Sequence, residues 1–439
     1  MKKLVPTIVL AILLMLLILS WNSVTSYNAT MRAAFNKHIK KAEELEEKGI
    51  IVDAVKEYEQ ALNIKPKEYD VAVKIYELYE ELDKPLYYVR AYKKAIKIDP
   101  KQKEPYIRLL DYYLNMSAYA KANETLYDAW KQFPGDEELT ERLIALKGNY
   151  VLSALDVTPA KSMYFPPKGS LGYVAVVKDG KYGLTTNGFK LVIKYEYDDI
   201  GILDNKLIPV KKDDEWYFLD QDGYRKLVPD EKADYFGSFG DGYAPACFDG
   251  VYGYVNNKLK QFKMEYEYAG GFANKIAAVK KDDKWGIINS SFKKVVGFDF
   301  DEVLMDDYGF CSAYGVFFAK KDGSYALYDT KGKKISDDFE DARMFVSDQP
   351  AAVKKNGKWC LLNKKGEIVL ETDYEDLKSM CVGYAPALKD GKWGAIDEYG
   401  NVLIDFQFEE MDSFMANGYA RVVVDGDVRH VLVHVFDED

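Results

Sequence analysis

A five-residue turn signature recurs eight times along the last two-thirds of the chain, and few folds can accommodate it. The copies read DGKYG at 179–183, DDEWY at 213–217, DGVYG at 249–253 and DDKWG at 282–286. They continue as DGSYA at 322–326, NGKWC at 356–360, DGKWG at 390–394 and a degenerate DGDVR at 425–429. The aromatic positions are Tyr182, Trp216, Tyr252, Trp285, Tyr325, Trp359 and Trp393. Their spacings are 34, 36, 33, 40, 34 and 34 residues, and Val428 takes the eighth place. Asp-Gly or Asn-Gly between β-forming runs predicts a hairpin, because these residues accept the positive φ of a type I′ turn. A second turn follows eight or nine residues later, as at Asn187-Gly188, Asp222-Gly223, Lys365-Gly366 and Tyr399-Gly400. A third β segment comes next, for example 191–193 and 402–404. Each repeat is therefore expected to be a three-stranded antiparallel meander.

The pattern resembles the WG (or KWG) repeat of bacterial proteins over about 275 residues. The resemblance rests on Tyr182, Gly183, Trp216, Tyr252, Gly253, Trp285, Gly286, Tyr325, Trp359, Trp393 and Gly394. In this reading the rings pack between neighbouring sheets, and the glycines let the next backbone approach closely. Tyr217, Ala326 and Cys360 replace the glycine, and looser local packing is expected there. A row of eight meanders leaves open edges, which proteins cover or close. The last copy ends at 431–435 without its third strand, and residues 155–164 precede the first copy. That segment is expected to complete the last sheet and clasp a ring, giving a β-propeller of about eight small three-stranded blades. An open β-solenoid is the alternative.

Composition separates this part from what precedes it. Residues 1–150 hold 3 of the 31 glycines. Residues 31–150 balance 21 Lys+Arg against 22 Asp+Glu, whereas residues 151–439 carry 37 against 49. Glycine-poor, charge-balanced sequence suits helices. A second period of 34 appears there, in Ala61, Ala95 and Ala129 and in Pro66, Pro100 and Pro134. Such a period marks a repeat of one supersecondary unit, and proline after each helix stops it. The blocks ALNIKP, AIKIDP and AWKQFP resemble the tetratricopeptide repeat, in three copies over about 34–134 with a capping helix at 136–147. Small positions hold Ala42, Ala54 and Ala61, then Ala122 and Ala129, but Tyr76, Tyr88 and Leu110 depart from them and are expected to splay or rotate the helix pairs. The resemblance implies a concave groove of the kind that takes a peptide. Tyr69, Tyr79, Tyr92, Tyr113 and Tyr127 read as packing residues at helical spacing.

Lys2 and Lys3 precede an apolar run from Leu4 to Trp21. A signal peptide and an uncleaved anchor compete for it. The anchor is preferred because the core is long and Val24-Thr25-Ser26 is a poor cleavage signal. This places the chain in the cell membrane as a single-pass protein, in contact with the bilayer through residues 4–21, with its bulk extracytoplasmic. The division reads as 1–29 anchor, 30–150 tetratricopeptide-like helices and 155–439 WG-repeat domain: an α-solenoid followed by an all-β propeller.

The chemistry-bearing residues are sparse. The three histidines are His38, His430 and His434, and Cys247, Cys311, Cys360 and Cys381 lack CxxC spacing, so no metal site or redox pair is signalled. The acidic second part disfavours nucleic acid. Paired carboxylates at Asp198-Asp199, Asp306-Asp307, Asp337-Asp338 and Glu409-Glu410 are of the residue type that a glycosidase sets across its cleft, but their repetition at equivalent places marks a surface. The expected function is non-enzymatic: a bacterial cell-envelope binding scaffold without cofactor or metal, for a protein or peptide partner or a cell-wall glycan. A propeller-type glycan hydrolase is the alternative.

Overall fold

The computed structural model describes residues 4–154, 158–159, 161, 173–186 and 188–434, with side chains from residue 26 onward. Two compact units divide at 143/144.

The first unit is seven helices: α1 (Leu4–Glu47), α2 (Ile51–Ile64), α3 (Tyr69–Glu81), α4 (Pro85–Ile98), α5 (Glu104–Asn115), α6 (Tyr119–Gln132) and α7 (Glu137–Lys147), the last of which runs across the division. Positive φ at Gly49, Asp83 and Ser117 turns each pair, again at a spacing of 34. Ala42, Ala54, Ala61, Ala122 and Ala129 are buried where helices touch. Tyr76 is buried too, its ring 5.2 Å from Tyr92 and beneath Arg108 at 5.4 Å. Tyr88 packs between Tyr92 and Tyr112, edge to face with the latter.

The apolar run at 4–21 is not an element of its own. It begins α1, which continues without a break into charged repeat sequence at Arg32, Lys37, Lys40 and Lys41. Among the described residues no helix is long and apolar enough to cross a membrane. The transmembrane helix, the signal anchor and the single-pass membrane localisation are corrected accordingly. The side chains of residues 4–25 lie outside the described residues.

The second unit is a propeller of eight small antiparallel sheets. Blade 7 shows the plan: an inner strand Asp376–Leu377, a hairpin of Ala385–Lys389 and Lys392–Ile396, and an outer strand Val402–Phe408. The inner strands of blades 1 to 6 and 8 start at Thr158, Asp199, Tyr235, Tyr268, Glu302, Asp341 and Glu410. Seven sheets are four-stranded and blade 5 is three-stranded among the described residues. The three-stranded expectation omits the inner strand because it is two residues long and has no periodicity to read. All eight hairpin turns have positive φ at both central residues, including the Asp-Asp pairs at 213–214 and 282–283, as type I′ geometry demands.

The ring closes in blade 8. Its outer strand is Tyr150–Ser153, antiparallel to Asp427–Val433 with Leu152 opposite Val431. The clasp therefore comes from just before the expected segment. Residues 158–159 instead open blade 1, and 155–157, 160 and 162–164 lie outside the described residues. Blade 8 also packs on blade 1, with Phe189 and Tyr419 edge to face at 5.0 Å and Met415 among Val174, Val176 and Tyr195.

The motif glycines serve the outer strand of their own blade. At Gly183, Gly253, Gly286 and Gly394 the outer strand bulges: Trp393 pairs with Phe408 and Ala395 with Ile404, so two steps on one strand oppose four on the other. A Cβ at Gly394 would lie 2.5 Å from the Ile404 carbonyl oxygen, and one at Gly253 2.6 Å from that of Lys263. The copies without glycine lack this bulge. Opposite Cys360 the pairing is regular, beside Tyr217 the outer strand ends at Leu227, and beside Ala326 it is absent. All three side chains are buried, so the expected looser packing gives way to a different outer strand. Gly394→Ala should destabilise the β unit by roughly 1–3 kcal/mol. Gly286→Ala, whose nearest atoms stand at 3.1–3.2 Å, should cost less. Urea unfolding of both variants checks the order.

Candidate functional site

Two repeating surfaces carry the polar side chains. On the ring, Trp216 and Tyr252 meet the inner strand of the next blade. Trp216, Tyr235, Tyr252, Tyr268 and Trp285 form one run of rings across blades 2 to 4, at centroid distances of 5.2, 6.1, 5.3 and 5.5 Å. Elsewhere a cation takes the place of the second ring. Arg343 lies 4.8 Å from the Trp359 ring and binds both oxygens of Asp376 on blade 7. Lys378 lies over Trp393 and pairs with Asp412 of blade 8. Lys161 lies over Tyr182 and pairs with Asp199 of blade 2. Tyr325 donates to Glu302 at 2.6 Å. The motif aromatics are thus committed to seams between blades, where rings and guanidinium faces add attraction beyond burial.

The one long spacing, 40 residues, has a structural cause. An insertion at 305–310 sends Tyr308 and Phe310 into the core of blades 1 and 2, and Phe310 bridges to Gly271 of blade 4. Lys161 lies over Tyr308 as well. Asp306 accepts the amides of Tyr308 and Phe310 and shapes this loop.

The paired carboxylates resolve into two roles. In blades 2 to 8 the acid just before the inner strand accepts an amide of the same blade's hairpin turn, at 2.9–3.4 Å. These acids are Asp198, Asp234, Glu267, Asp301, Glu340, Glu375 and Glu409. Each binds an amide that the tight turn leaves without a backbone partner. The Lys181 ammonium and the turn amide hold the Asp198 carboxyl below the usual range. The second acid of a pair begins the inner strand: Asp199 binds Lys161 and Glu410 binds Arg421. Asp337 and Asp338 pair with Lys355 and Lys334.

The other chemistry-bearing residues are structural in their surroundings. All four cysteines are free and buried, and burial pushes the Cys311 and Cys381 thiols up to about 12, so they stay protonated. His38 faces Glu57 at 2.6 Å, and His430 is buried opposite Ser153 and Arg421. Among the described residues no cluster of three metal-ligating side chains forms.

The helical unit holds a feature that its apolar and small-residue pattern does not reveal. Lys40, Lys74, Arg108 and Arg142 stand 34 residues apart. Lys74 pairs with Glu46, Arg108 with Glu80 and Arg142 with Asp111, each in the preceding repeat. Glu46 also accepts from Tyr58 at 2.9 Å, and Glu80 from Tyr92. The triads Glu46–Tyr58–Lys74 and Glu80–Tyr92–Arg108 are the same device one repeat apart. Burial and then the adjacent glutamate push both phenols well above their ordinary range. The signal is legible as a 34-residue period in charge rather than in apolar residues.

Lys147, at the end of α7, lies within the second unit. It is 3 % exposed, sits 5.3 Å over the Tyr384 ring, and its carbonyl accepts the Tyr384 hydroxyl. Burial pulls its ammonium down to about 8 against the opposing pull of Asp397.

Two outcomes follow from these contacts. Glu80→Ala leaves Tyr92 without its acceptor and Arg108 with Glu104 alone, and should cost the helical unit about 1–3 kcal/mol, against about 1 for Tyr92→Phe, read by thermal circular dichroism. Lys147 has a folded pKa below its unfolded value, so the folded state sheds this proton first. Stability should rise by up to roughly 3 kcal/mol as pH climbs from about 8 to 10.5. Comparing urea midpoints of wild type and Lys147→Met across that window isolates the effect, and the variant should lack the rise.

Comparison with known proteins recognises the family described as "WG containing repeat" at residues 187–216, 252–285, 325–359, 361–393 and 393–426. No curated protein matches the sequence. Among solved structures the chain is similar to "Crystal structure of MamA protein", at 17 % identity, TM-score 0.22, with 26 % of this chain and 62 % of that one covered. It thus spans about three-fifths of that structure's length. It is also similar to the Yersinia enterocolitica type III secretion chaperone SycD in complex with a peptide of the translocator YopD, at 14 % identity and TM-score 0.21, covering 25 % and 85 %. A third is the first TPR of Spaghetti (RPAP3) bound to an HSP90 peptide, at 14 % identity and TM-score 0.21, covering 26 % and 89 %. With the repeat recognised five times between 187 and 426, that part of the chain carries WG repeats, and they form blades of the propeller that follows the seven helices.

Proposed function

We propose that this chain is a non-enzymatic binding scaffold that holds a basic protein segment or peptide on the charged face of α1, α3, α5 and α7. The observation that carries this reading is the ladder of Lys40, Lys74, Arg108 and Arg142. The ion pairs of its last three members consume those cations internally, and they leave exposed acids beside them. Glu43 and Glu77 occupy the place that Asp111 holds two repeats and one repeat on, and Glu81 and Glu141 are exposed as well, whereas Glu104 and Glu138 are drawn into the pairs of Arg108 and Arg142. A face with paired cations and spare carboxylates favours a cationic ligand, by complementarity that raises association rate and specificity. Repeat surfaces of this kind present an extended contact area.

A non-enzymatic reading is supported by the carboxylate pairs, whose members cap turns or bind lysine and arginine rather than face one another across a cleft. A cell-wall glycan is the less favoured partner. Aromatic platforms suit sugar rings, but the motif rings lie in the seams between blades, and among the described residues few tyrosines are exposed, such as Tyr87, Tyr119 and Tyr224.

Peptide arrays probed with the full chain test the reading. Lysine- and arginine-rich peptides should be retained, and retention should fall at least about tenfold for Glu77→Lys/Glu81→Lys and with added salt. Equal retention by the variant, or selective retention of acidic peptides, would refute it.

A further inference from the structure

Outer strands are where this ring exposes unpaired backbone. Blades 1, 2, 3, 4, 6 and 7 place charge on that strand, including Lys194, Arg225, Lys263, Lys294, Glu371 and Asp405. Charge on an edge deters the approach of another strand. The clasp of blade 8 is different. Tyr150–Ser153 reads YVLS, with no charged residue, and Val151 and Leu152 are 60 % and 43 % exposed on opposite faces. Among the described residues its one neighbour in the sheet is Asp427–Val433, and no strand pairs with its other edge. Beside it lies an open groove of about 460 Å³ lined by Asn149, Tyr150, Val151, Asn417, Leu432, Val433 and His434, without Asp, Glu, Lys or Arg.

We propose that this edge is a self-association site, at which the clasp strand of a second copy of this chain pairs antiparallel across a two-fold axis. Charge is the reason for choosing this occupant. In a two-fold interface the same patch faces itself, so a charged strand carries its own charges into the contact twice, whereas YVLS carries none. Val151 and Leu152 cover their counterparts on the two faces, and the groove, free of carboxylates, lysine and arginine, extends the contact beyond the backbone. Such edge pairing draws affinity from main-chain hydrogen bonds and specificity from the side-chain pockets alongside. The chain's net charge of −11 opposes association of copies. Added salt should therefore strengthen the dimer by screening that repulsion, opposite to its effect on the helical face.

Sedimentation velocity of the full chain over a concentration series tests this, with Val151→Lys and a control, Leu191→Lys, on the exposed outer strand of blade 1. Wild type and the control should form a dimer that tightens with salt. Val151→Lys should weaken it by about tenfold or more, since the substitution enters the interface twice. A wild type that stays monomeric, or a Val151→Lys dimer as tight as wild type, would overturn the proposal. Should the variant not fold, deuterium uptake of unsubstituted chain decides: protection at 150–153 that rises with protein concentration supports self-pairing, and protection independent of concentration overturns it. A different protein seated on this edge would show as a monomeric wild type, which also counts against it.

Discussion

The antiparallel pairing of Tyr150–Ser153 with Asp427–Val433 joins the first described β strand to the last, and the other seven blades depend on it. Each small sheet has one face for each neighbour, so an open row would leave blades 1 and 8 half-covered. Closure lets Phe189 and Tyr419 meet and buries Met415 against blade 1. It also places a strand from before the repeats in the last repeat, so the ring opens only when that non-local pairing breaks. Contacts of such high sequence separation cost loop-closure entropy before they give anything back. The propeller is thus built from local hairpins and sealed by one long-range contact.

Within a blade, a few residues do several jobs at once. Asp-Gly turns reverse the chain, the acid ahead of the inner strand binds a turn amide, and the motif ring reaches the next blade. Glycine appears after the ring where the outer strand bulges toward it. Cys360 and Ala326 show the converse, since the outer strand pairs in step opposite Cys360, shifting register only beyond Leu361, and Ala326 has no outer strand beside it among the described residues. The repeat is therefore a set of linked local choices. The family's glycine follows from the shape of its own outer strand.

Much of this is legible in the amino-acid order alone. The eight turns, the two 34-residue periods, the paired helices and the need for a closing strand all follow from spacing and turn chemistry. What is not legible has physical causes. Two-residue inner strands show no alternation. Alignment with a third strand points to a clasp at 155–164, inside the repeat register, while YVLS carries no repeat signature. The long spacing before Tyr325 marks an insertion, but only the fold shows Tyr308 and Phe310 buried against blades 1 and 2. The apolar run at 4–21 reads as a separate anchor, whereas it begins the continuous helix α1. The carboxylate pairs stand out as pairs, yet their two members do different work, which sequence proximity conceals. The candidate face of α1, α3, α5 and α7 escapes a search for apolar periodicity because its period lies in charge, at Lys40, Lys74, Arg108 and Arg142.

Closure of the ring is the central claim, and hydrogen–deuterium exchange of the full chain tests it most directly. The amides of Asp427–Val433 should exchange as slowly as those of the blade 4 hairpin, Ile276–Asn289. Replacing both Val151 and Leu152 by proline should speed exchange in blade 8 and in blade 1 together. Fast exchange at 427–433 in the unsubstituted chain, or a proline effect that stops at blade 8, would contradict a closed propeller.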